Sequence, residues 1–173
     1  MSLIVVDTQI LIWAVKREAT PGQEQMIEKA ARYLEHLDKC KDQIIIPSVV
    51  VSEFLANVPD KREAAVLKAL EKRFMVIPFD TLAAVHAARI WRINSSGNAS
   101  LVQQLKADGF KNSKIKADIQ IIATALARKA VRITTHDDGL IKNANGHIEA
   151  GPMPDFHHHH GADSLHAHAR QDS

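Results

Sequence analysis

The chain has 173 residues, of which 46% are hydrophobic and 24% charged, with a formal net charge of +2. This composition is typical of one globular domain with a hydrophobic core, and its longest apolar runs are too short to span a bilayer. The small net charge does not by itself indicate a nucleic-acid-binding protein. A single cysteine, Cys40, excludes an internal disulfide framework, and the N-terminal sequence lacks export features, so we expect a cytoplasmic protein.

Short apolar runs alternate with helical patterns in the first half of the chain. We predict a buried strand for each of three runs, at 3–6, 44–46 and 74–77. Between them, apolar residues recur every three or four positions after Ile10, after Thr20 and after Ser48, which predicts helices. Thr20 and Ser48 are residue types that often begin a helix. A further helix is predicted over 64–70.

The second half of the chain continues the same alternation. Asp80 or Thr81 is predicted to cap a helix whose apolar residues extend to Ile93. For 99–116 we expect a short helix followed by a basic loop. A strong helical pattern then begins at Ile115 and continues through several apolar residues. Two strands complete the prediction, at 131–135 and, more briefly, at 147–149.

Strands that alternate with helices need crossover connections, which make the sheet parallel. We therefore predict one α/β domain over 1–154, a three-layer α/β/α sandwich with a parallel central sheet of four to five strands. The remaining residues, 155–173, hold six of the ten histidines. We interpret this segment as a purification tag or a natural metal-binding tail and expect it to be disordered.

Four acidic residues occupy positions where a carboxylate needs an explanation. Asp7 and Asp137 directly follow predicted strands, at the sheet edge where parallel α/β proteins bind ligands. Glu53 and Asp118 fall within the apolar stripes of predicted helices, where an unpaired carboxylate is costly. A hard divalent cation would remove the repulsion among such acids, and oxygen ligands favour magnesium or manganese. These acids therefore predict metal-dependent phosphodiester hydrolysis.

Each acid also has a purely structural interpretation. Asp7 could simply cap the helix that follows, and Glu53 could lie on the surface of a slightly rotated helix. Asp118 could be a first-turn acid favoured by the helix dipole. One of Asp137 and Asp138 is expected to form a turn, and we assign the turn to Asp138 and the ligand role to Asp137, which is nearer the strand.

The segments around these acids resemble the motifs of a known family. They are Val5-Val6-Asp7-Thr8, Pro47-Ser48-Val49-Val50-Val51-Ser52-Glu53-Phe54, Asp118-Ile119-Gln120-Ile121-Ile122-Ala123-Thr124-Ala125 and Ile133-Thr134-Thr135-His136-Asp137. In this order they look like the four motifs of PIN-domain nucleases, and the length resembles that of VapC-type toxins. Each motif is short, but the ordered set is fairly specific. The family often has an aromatic residue three positions after the last aspartate, where this chain has Leu140.

The resemblance implies a function and a set of residue roles. Asp7, Glu53, Asp118 and Asp137 would hold Mg²⁺ or Mn²⁺, and Thr135 would orient water or a ligand carboxylate. The chain would be an endoribonuclease toxin, blocked by a cognate antitoxin and paired with a second copy of itself.

Basic residues near the third motif extend this hypothesis. Lys111, Lys114 and Lys116 are either a solvated loop or contacts for RNA phosphates. Two other functions stay open at this point. One is a PIN-like scaffold that binds RNA or protein without cutting, and the other is a receiver-like signalling domain with a magnesium-binding acidic edge.

Overall fold

The computed structural model describes residues 1–155, and the histidine-rich tail predicted beyond them lies outside this range. Its centre is a five-stranded sheet in which every neighbouring pair is parallel. The strands are β1 (Leu3–Val6), β2 (Gln43–Pro47), β3 (Met75–Ile77), β4 (Arg132–Thr134) and β5 (Glu149–Gly151). Their order across the sheet is β3-β2-β1-β4-β5. The predicted parallel α/β architecture is confirmed.

Helices connect the strands and cover the sheet. They are α1 (Thr8–Leu11), continued by a π-helical turn (Ile12–Lys16), then α2 (Gln25–Lys39), α3 (Ser48–Leu55), α4 (Asp60–Arg73), α5 (Thr81–Asn94), α6 (Leu101–Ala107), α7 (Asn112–Ala127) and α8 (Asp138–Ala144). Successive residues of a strand point to opposite faces of the sheet. Because Val5, Val6, Ile45 and Ile46 are all fully buried, both faces of the sheet are covered, as in a three-layer sandwich.

The strand order places a crevice beside β1. The chain builds β1, β2 and β3 in one direction and then returns to add β4 on the other side of β1. Parallel sheets bind ligands at such a reversal, outside the carboxyl ends of the strands. Receiver domains have the order 2-1-3-4-5 instead, so the topology argues against the receiver-like alternative.

Four local predictions were wrong. The helix predicted to begin at Thr20 begins instead at Gln25, and Glu24 is its N-cap residue. The predicted basic loop before Ile115 is the first turn of α7, since its polar residues give no apolar periodicity to detect. The fifth strand begins later than predicted, at Glu149. Ser48 does not cap α3 with its side chain; its hydroxyl accepts a hydrogen bond from the Phe79 backbone N–H at 3.2 Å. Asp80 does cap α5, accepting from the Ala83 N–H at 3.0 Å.

The described part of the chain shows no segment suited to crossing a bilayer, because none of its helices is both long enough and apolar enough. The largest buried side chains, Trp13, Tyr33 and Phe54, belong instead to one hydrophobic core around the sheet. The Tyr33 hydroxyl lies 2.6 Å from the Thr134 hydroxyl, which links α2 to β4 within that core.

Candidate active site

Asp7 ends β1 and caps α1 at the same time. Its Oδ1 accepts a hydrogen bond from the Thr8 backbone N–H at 2.6 Å, and its Oδ2 accepts from the Thr135 hydroxyl at 2.7 Å. The residue is only 4% exposed. Burial raises the pKa of Asp7, while the hydrogen bonds from Thr135 and Thr8 oppose that rise. The capping interpretation is therefore correct, and it leaves Asp7 in the crevice.

Thr135 and Asp137 follow β4 and face Asp7. The Thr135 hydroxyl accepts a hydrogen bond from the Asp137 N–H at 3.0 Å while donating to Asp7. Asp137 Oδ1 caps α8 through the N–H groups of Gly139 and Leu140, at 2.8 and 3.1 Å. The turn role assigned to Asp138, which is exposed, is thus taken by Asp137 as the N-cap of α8, and the second oxygen of Asp137 faces the crevice.

Asp118 lies on the buried face of α7, and its side chain has 0% exposure. It stands beyond the first turn of that helix, so the helix-dipole interpretation is wrong. Its neighbours on the same face, Ile115, Ile119 and Ile122, are all core residues. Asp118 Oδ2 is buried and has no hydrogen-bond partner within residues 1–155. Such an orphaned acceptor is costly unless a ligand satisfies it.

Lys114 joins two of these acids. Its Nζ lies 2.6 Å from Asp118 Oδ1, one helical turn away, and 2.8 Å from Asp137 Oδ2. Burial raises the pKa of Asp118 to about 6, with the Lys114 ion pair opposing part of the rise. Burial also acts to raise the pKa of Asp137, but the Lys114 hydrogen bond and the capping N–H groups outweigh it, so the net shift is downward. We call Asp7, Asp118 and Asp137 the acidic cluster.

Glu53 reaches the same crevice from α3. It is half-buried, and its Oε2 accepts a hydrogen bond from the Thr8 hydroxyl at 2.5 Å. Thr8 follows Asp7 directly, so this bond connects Glu53 to the acidic cluster through one residue. Thr8 had no assigned role in the sequence analysis, because the pairing spans 45 positions and leaves no periodic signal.

The acids open into a cavity of about 420 Å³. Its walls are formed by Asp7, Thr8, Gln9, Trp13, Gln23, Glu53, Lys114, His136 and Asp137. Trp13 and His136 meet edge to face, with ring centroids 5.3 Å apart, and His136 Nε2 accepts a hydrogen bond from the Met153 N–H at 3.2 Å. This cavity is lined by Asp7 and Asp137, whereas Asp118 is fully buried and does not line it.

The three lysines predicted to contact RNA separate in the structure. Lys114 lines the cavity, but Lys111 and Lys116 are not part of its walls. Lys111 is exposed at the start of α7. Lys116 lies over the ring of Trp91, with Nζ 5.6 Å from the ring centroid.

The residues of the crevice fit a hard divalent cation by donor chemistry. The candidate ligands are all oxygen atoms, and Cys40 is exposed at the far end of α2. The unpaired Asp118 Oδ2 supplies a buried anionic acceptor. Within residues 1–155, however, no three acidic, histidine or cysteine side chains are already arranged around one point as metal ligands. Mg²⁺ is commonly held by one or two carboxylates and several waters, so the carboxylates of the crevice suffice by number.

Comparison with known families identifies the chain. The family model described as PIN domain matches residues 4–146. The chain therefore belongs to the PIN domain family, and the match includes all four predicted acids and Thr135. Together with the acidic cavity, this membership supports a nuclease. No curated protein matches the chain at a significant level.

Solved structures with a similar fold come from bacterial VapBC complexes. One is VapBC2 from Rickettsia felis bound to a promoter DNA fragment (TM-score 0.55, 17% identity, 86% of this chain and 96% of that chain). Another is DNA-bound VapBC from Salmonella typhimurium (TM-score 0.55, 17% identity, 89% of this chain and 100% of that chain). A third is VapBC-1 from nontypeable Haemophilus influenzae (TM-score 0.55, 14% identity, 87% of this chain and 98% of that chain). At sequence identities of 14% to 17%, the structural similarity establishes the fold alone.

Proposed function

We propose that this protein is a Mg²⁺- or Mn²⁺-dependent endoribonuclease that hydrolyses RNA phosphodiester bonds and acts as the toxin of a toxin–antitoxin pair. The observation that carries the proposal is the convergence of the acidic cluster. Asp7 and Asp137 follow β1 and β4 and line one cavity, and Asp118 lies buried on α7. Thr135 and Lys114 connect the three acids by hydrogen bonds and ion pairs.

The acidic cluster would hold the metal, with Glu53 as a further ligand or as a base toward the attacking water. When bound, the cation would supply charge stabilisation for the phosphoryl group and lower the pKa of water to produce the nucleophile. The protein's own contribution is orientation. The Thr135 hydroxyl fixes the Asp7 carboxylate, and the capping bonds from Gly139 and Leu140 fix that of Asp137.

The open cavity suits single-stranded or loop RNA, whose backbone can bend toward a recessed carboxylate cluster. The cavity wall includes the amides of Gln9 and Gln23 and the ring of His136, which are hydrogen-bonding groups suited to a nucleotide. Lys111 and Lys116, on the adjoining helix α7, would contact phosphates further along the RNA.

The proposed partners are an antitoxin, which would cover the acidic cavity, and a second copy of the chain. The VapBC neighbours support an antitoxin partner. Early helices such as α2 bury their apolar face in the core and leave little for a partner. Instead α5 exposes Leu82, Val85 and Ile93, which are 51%, 42% and 62% accessible and lie on one side of the helix. This surface supports a protein contact.

A non-catalytic PIN-like binding domain is the second candidate. The observation that favours it is the ion pair of Lys114 with Asp118 and Asp137, which neutralises part of the acidic cluster without a metal. Such a protein would bind RNA or protein in the same cavity but would not cut. The retained set of four acids and Thr135 favours the enzyme.

A cleavage assay separates the two candidates. The full chain is incubated with a defined single-stranded RNA in Mg²⁺, in Mn²⁺ or in chelator, alongside Asp7→Asn and the matched control Asp138→Asn. We expect divalent-dependent cleavage that Asp7→Asn lowers at least about a hundredfold, because it removes a metal ligand, and that Asp138→Asn leaves nearly unchanged.

RNA that is bound but left intact by the wild-type chain would instead support the binding domain. Cleavage by Asp7→Asn at the wild-type rate would contradict the assigned site. The toxin role is tested by expression in a bacterial host. Growth arrest should require Asp7 and be relieved by the product of a neighbouring reading frame.

A further inference from the structure

Lys114 occupies an unusual position for a lysine in a proposed nuclease site. Its ammonium lies between carboxylates of two different elements, 2.6 Å from Asp118 Oδ1 on α7 and 2.8 Å from Asp137 Oδ2 after β4. The side chain is 34% exposed, so it reaches inward from the cavity wall. The two oxygens it contacts belong to residues that the proposed function assigns to the metal.

We propose that Lys114 is a built-in counter-ion that occupies the cation position of the acidic cluster in the metal-free protein and is displaced when Mg²⁺ or Mn²⁺ binds. This inference rests on the proposed function, since it takes the acidic cluster as the metal site. It adds a role for a residue outside the four acids.

The charges of the cavity explain why a counter-ion is needed. Four carboxylates reach the cavity or the core directly beneath it, and Lys114 is the only lysine or arginine among the described residues that line it. Asp118 is completely buried, and an ionised carboxylate there needs an opposite charge close by. The ammonium supplies that charge while no metal is present.

Displacement follows from the same geometry. A divalent cation held by the acidic cluster would lie beside the carboxylates that the Lys114 ammonium now contacts, and the repulsion between two positive charges at that distance favours displacement of the ammonium. Lys114 begins from the first turn of α7, so its released ammonium stays beside the cavity. Contact with RNA phosphate is then restricted to the metal-loaded protein.

A competing cation divides the apparent metal affinity by about ten when it leaves one molecule in ten free, because only the free fraction can bind the metal. If the ammonium occupies the site in about nine molecules of ten, its removal should tighten metal binding about tenfold. The test titrates Mn²⁺ into the metal-free full chain and follows free Mn²⁺ by electron paramagnetic resonance. Lys114→Met is compared with Lys111→Met, which removes the same charge from the exposed residue that immediately precedes the same helix.

We expect Lys114→Met to bind Mn²⁺ about tenfold more tightly than the wild type, and Lys111→Met to match the wild type. Asp118→Asn shows how much Mn²⁺ binds outside the crevice, because it removes a crevice carboxylate and leaves the histidine-rich residues 155–173 unchanged. Equal or weaker Mn²⁺ binding by Lys114→Met would overturn the proposal.

A second measurement uses only the wild-type chain and therefore decides the matter even if Lys114→Met does not fold. An amine-acetylating reagent is applied with and without saturating Mg²⁺, and modification of each lysine is read by peptide mass spectrometry. Lys114 should be protected without metal and become several-fold more reactive with it, while Lys111 stays constant. Unchanged protection of Lys114 in Mg²⁺ would overturn the proposed displacement of its ammonium by the metal.

The two proposals fail in different ways. If the wild type binds Mn²⁺ no better than Asp118→Asn does, the metal site of the proposed function is wrong, and the displacement of Lys114 is wrong with it. If the wild type binds Mn²⁺ in the crevice but Lys114→Met binds it no more tightly, only the displacement of Lys114 is wrong.

Discussion

A cluster of polar residues lies at each end of α8, and one cluster is charged whereas the other is neutral. At its N-terminus, Asp137 belongs to the acidic cluster. Near its C-terminus, Asn143 belongs to a second group with Asn94 and His147, which we call the amide cluster. There the Asn94 Nδ2 donates to the Asn143 carbonyl at 3.2 Å, and His147 Nε2 lies 3.1 Å from Asn94 Oδ1. Burial lowers the pKa of His147, which keeps the amide cluster neutral at pH 7.

The charge of a buried polar cluster distinguishes a structural cluster from a functional one in this protein. The amide cluster ties the end of α5 to α8 with hydrogen bonds between neutral groups, and its one unpaired buried atom within the described chain, Asn143 Nδ2, carries no formal charge. The acidic cluster holds three carboxylates against one ammonium and leaves Asp118 Oδ2 unpaired within the described chain. Burial raises the pKa of both Asp7 and Asp118, and such perturbed carboxylates in a crevice are typical of functional sites.

The largest expected effect on stability is at Asp118. Because burial raises its pKa from 3.8 to about 6, the folded protein holds a proton between these pH values that the unfolded chain has released. The free energy of unfolding therefore falls as pH rises through this window. Asp118→Asn should stabilise the metal-free protein at pH 8 by about 3 kcal/mol, and this gain should vanish below about pH 4.

Denaturant unfolding in chelator at several pH values measures this effect. Saturating Mg²⁺ should reverse the order, because only the wild type gains stability from a cation that binds the folded state. An Asp118→Asn protein that is less stable than the wild type at pH 8 in chelator would contradict the account of an overcharged cluster.

A smaller effect, of opposite sign, is expected in the amide cluster. Asn143→Ala removes the buried hydrogen bond that Asn94 Nδ2 donates to Asn143 Oδ1 at 3.4 Å, while the bond to the Asn143 backbone carbonyl remains. The free energy of unfolding should fall by about 1 kcal/mol. The loss should be the same with and without Mg²⁺, and RNA cleavage per folded molecule should not change. Asn145→Ala, at an exposed position on the same end of α8, is the control. A metal-dependent loss in Asn143→Ala would remove the contrast between the clusters.

The smallest expected effect concerns Thr135, which positions a proposed ligand without being one. Thr135→Val removes the hydroxyl that donates to Asp7 and accepts from the Asp137 N–H. RNA cleavage should fall about tenfold, and Thr135→Ser should recover most of the rate because it keeps the hydroxyl. Single-turnover cleavage rates measure this, and Mn²⁺ binding should weaken in parallel. If Thr135→Ser were as impaired as Thr135→Val, packing of the methyl group would be the cause instead.

The positions of the acids were largely predictable from the sequence. Asp7 and Asp137 follow β-branched runs, and the carboxyl ends of parallel strands lie along one edge. Asp118 interrupts an apolar stripe with helical period, so its burial followed from the spacing of its neighbours. The parallel sheet followed from the alternation of strands and helices.

The contacts between these residues were not predictable. The ion pair of Lys114 with Asp118 has the spacing of one helical turn, but the apolar pattern begins only at Ile115 and placed Lys114 in a loop. The bond of Thr8 to Glu53 depends on how α3 packs beside α1, which no local pattern encodes. The capping role of Asp137 could not be separated from that of Asp138 because both follow the strand directly.

Anomalous diffraction from crystals of the full chain soaked in Mn²⁺ would show directly whether the acidic cluster binds a divalent metal. We expect a manganese peak about 2 to 2.5 Å from carboxylate oxygens of Asp7, Asp118 and Asp137, with the Lys114 ammonium turned away from Asp118. A crevice that stays free of manganese at saturating concentration, with the Lys114 ion pairs intact, would contradict it.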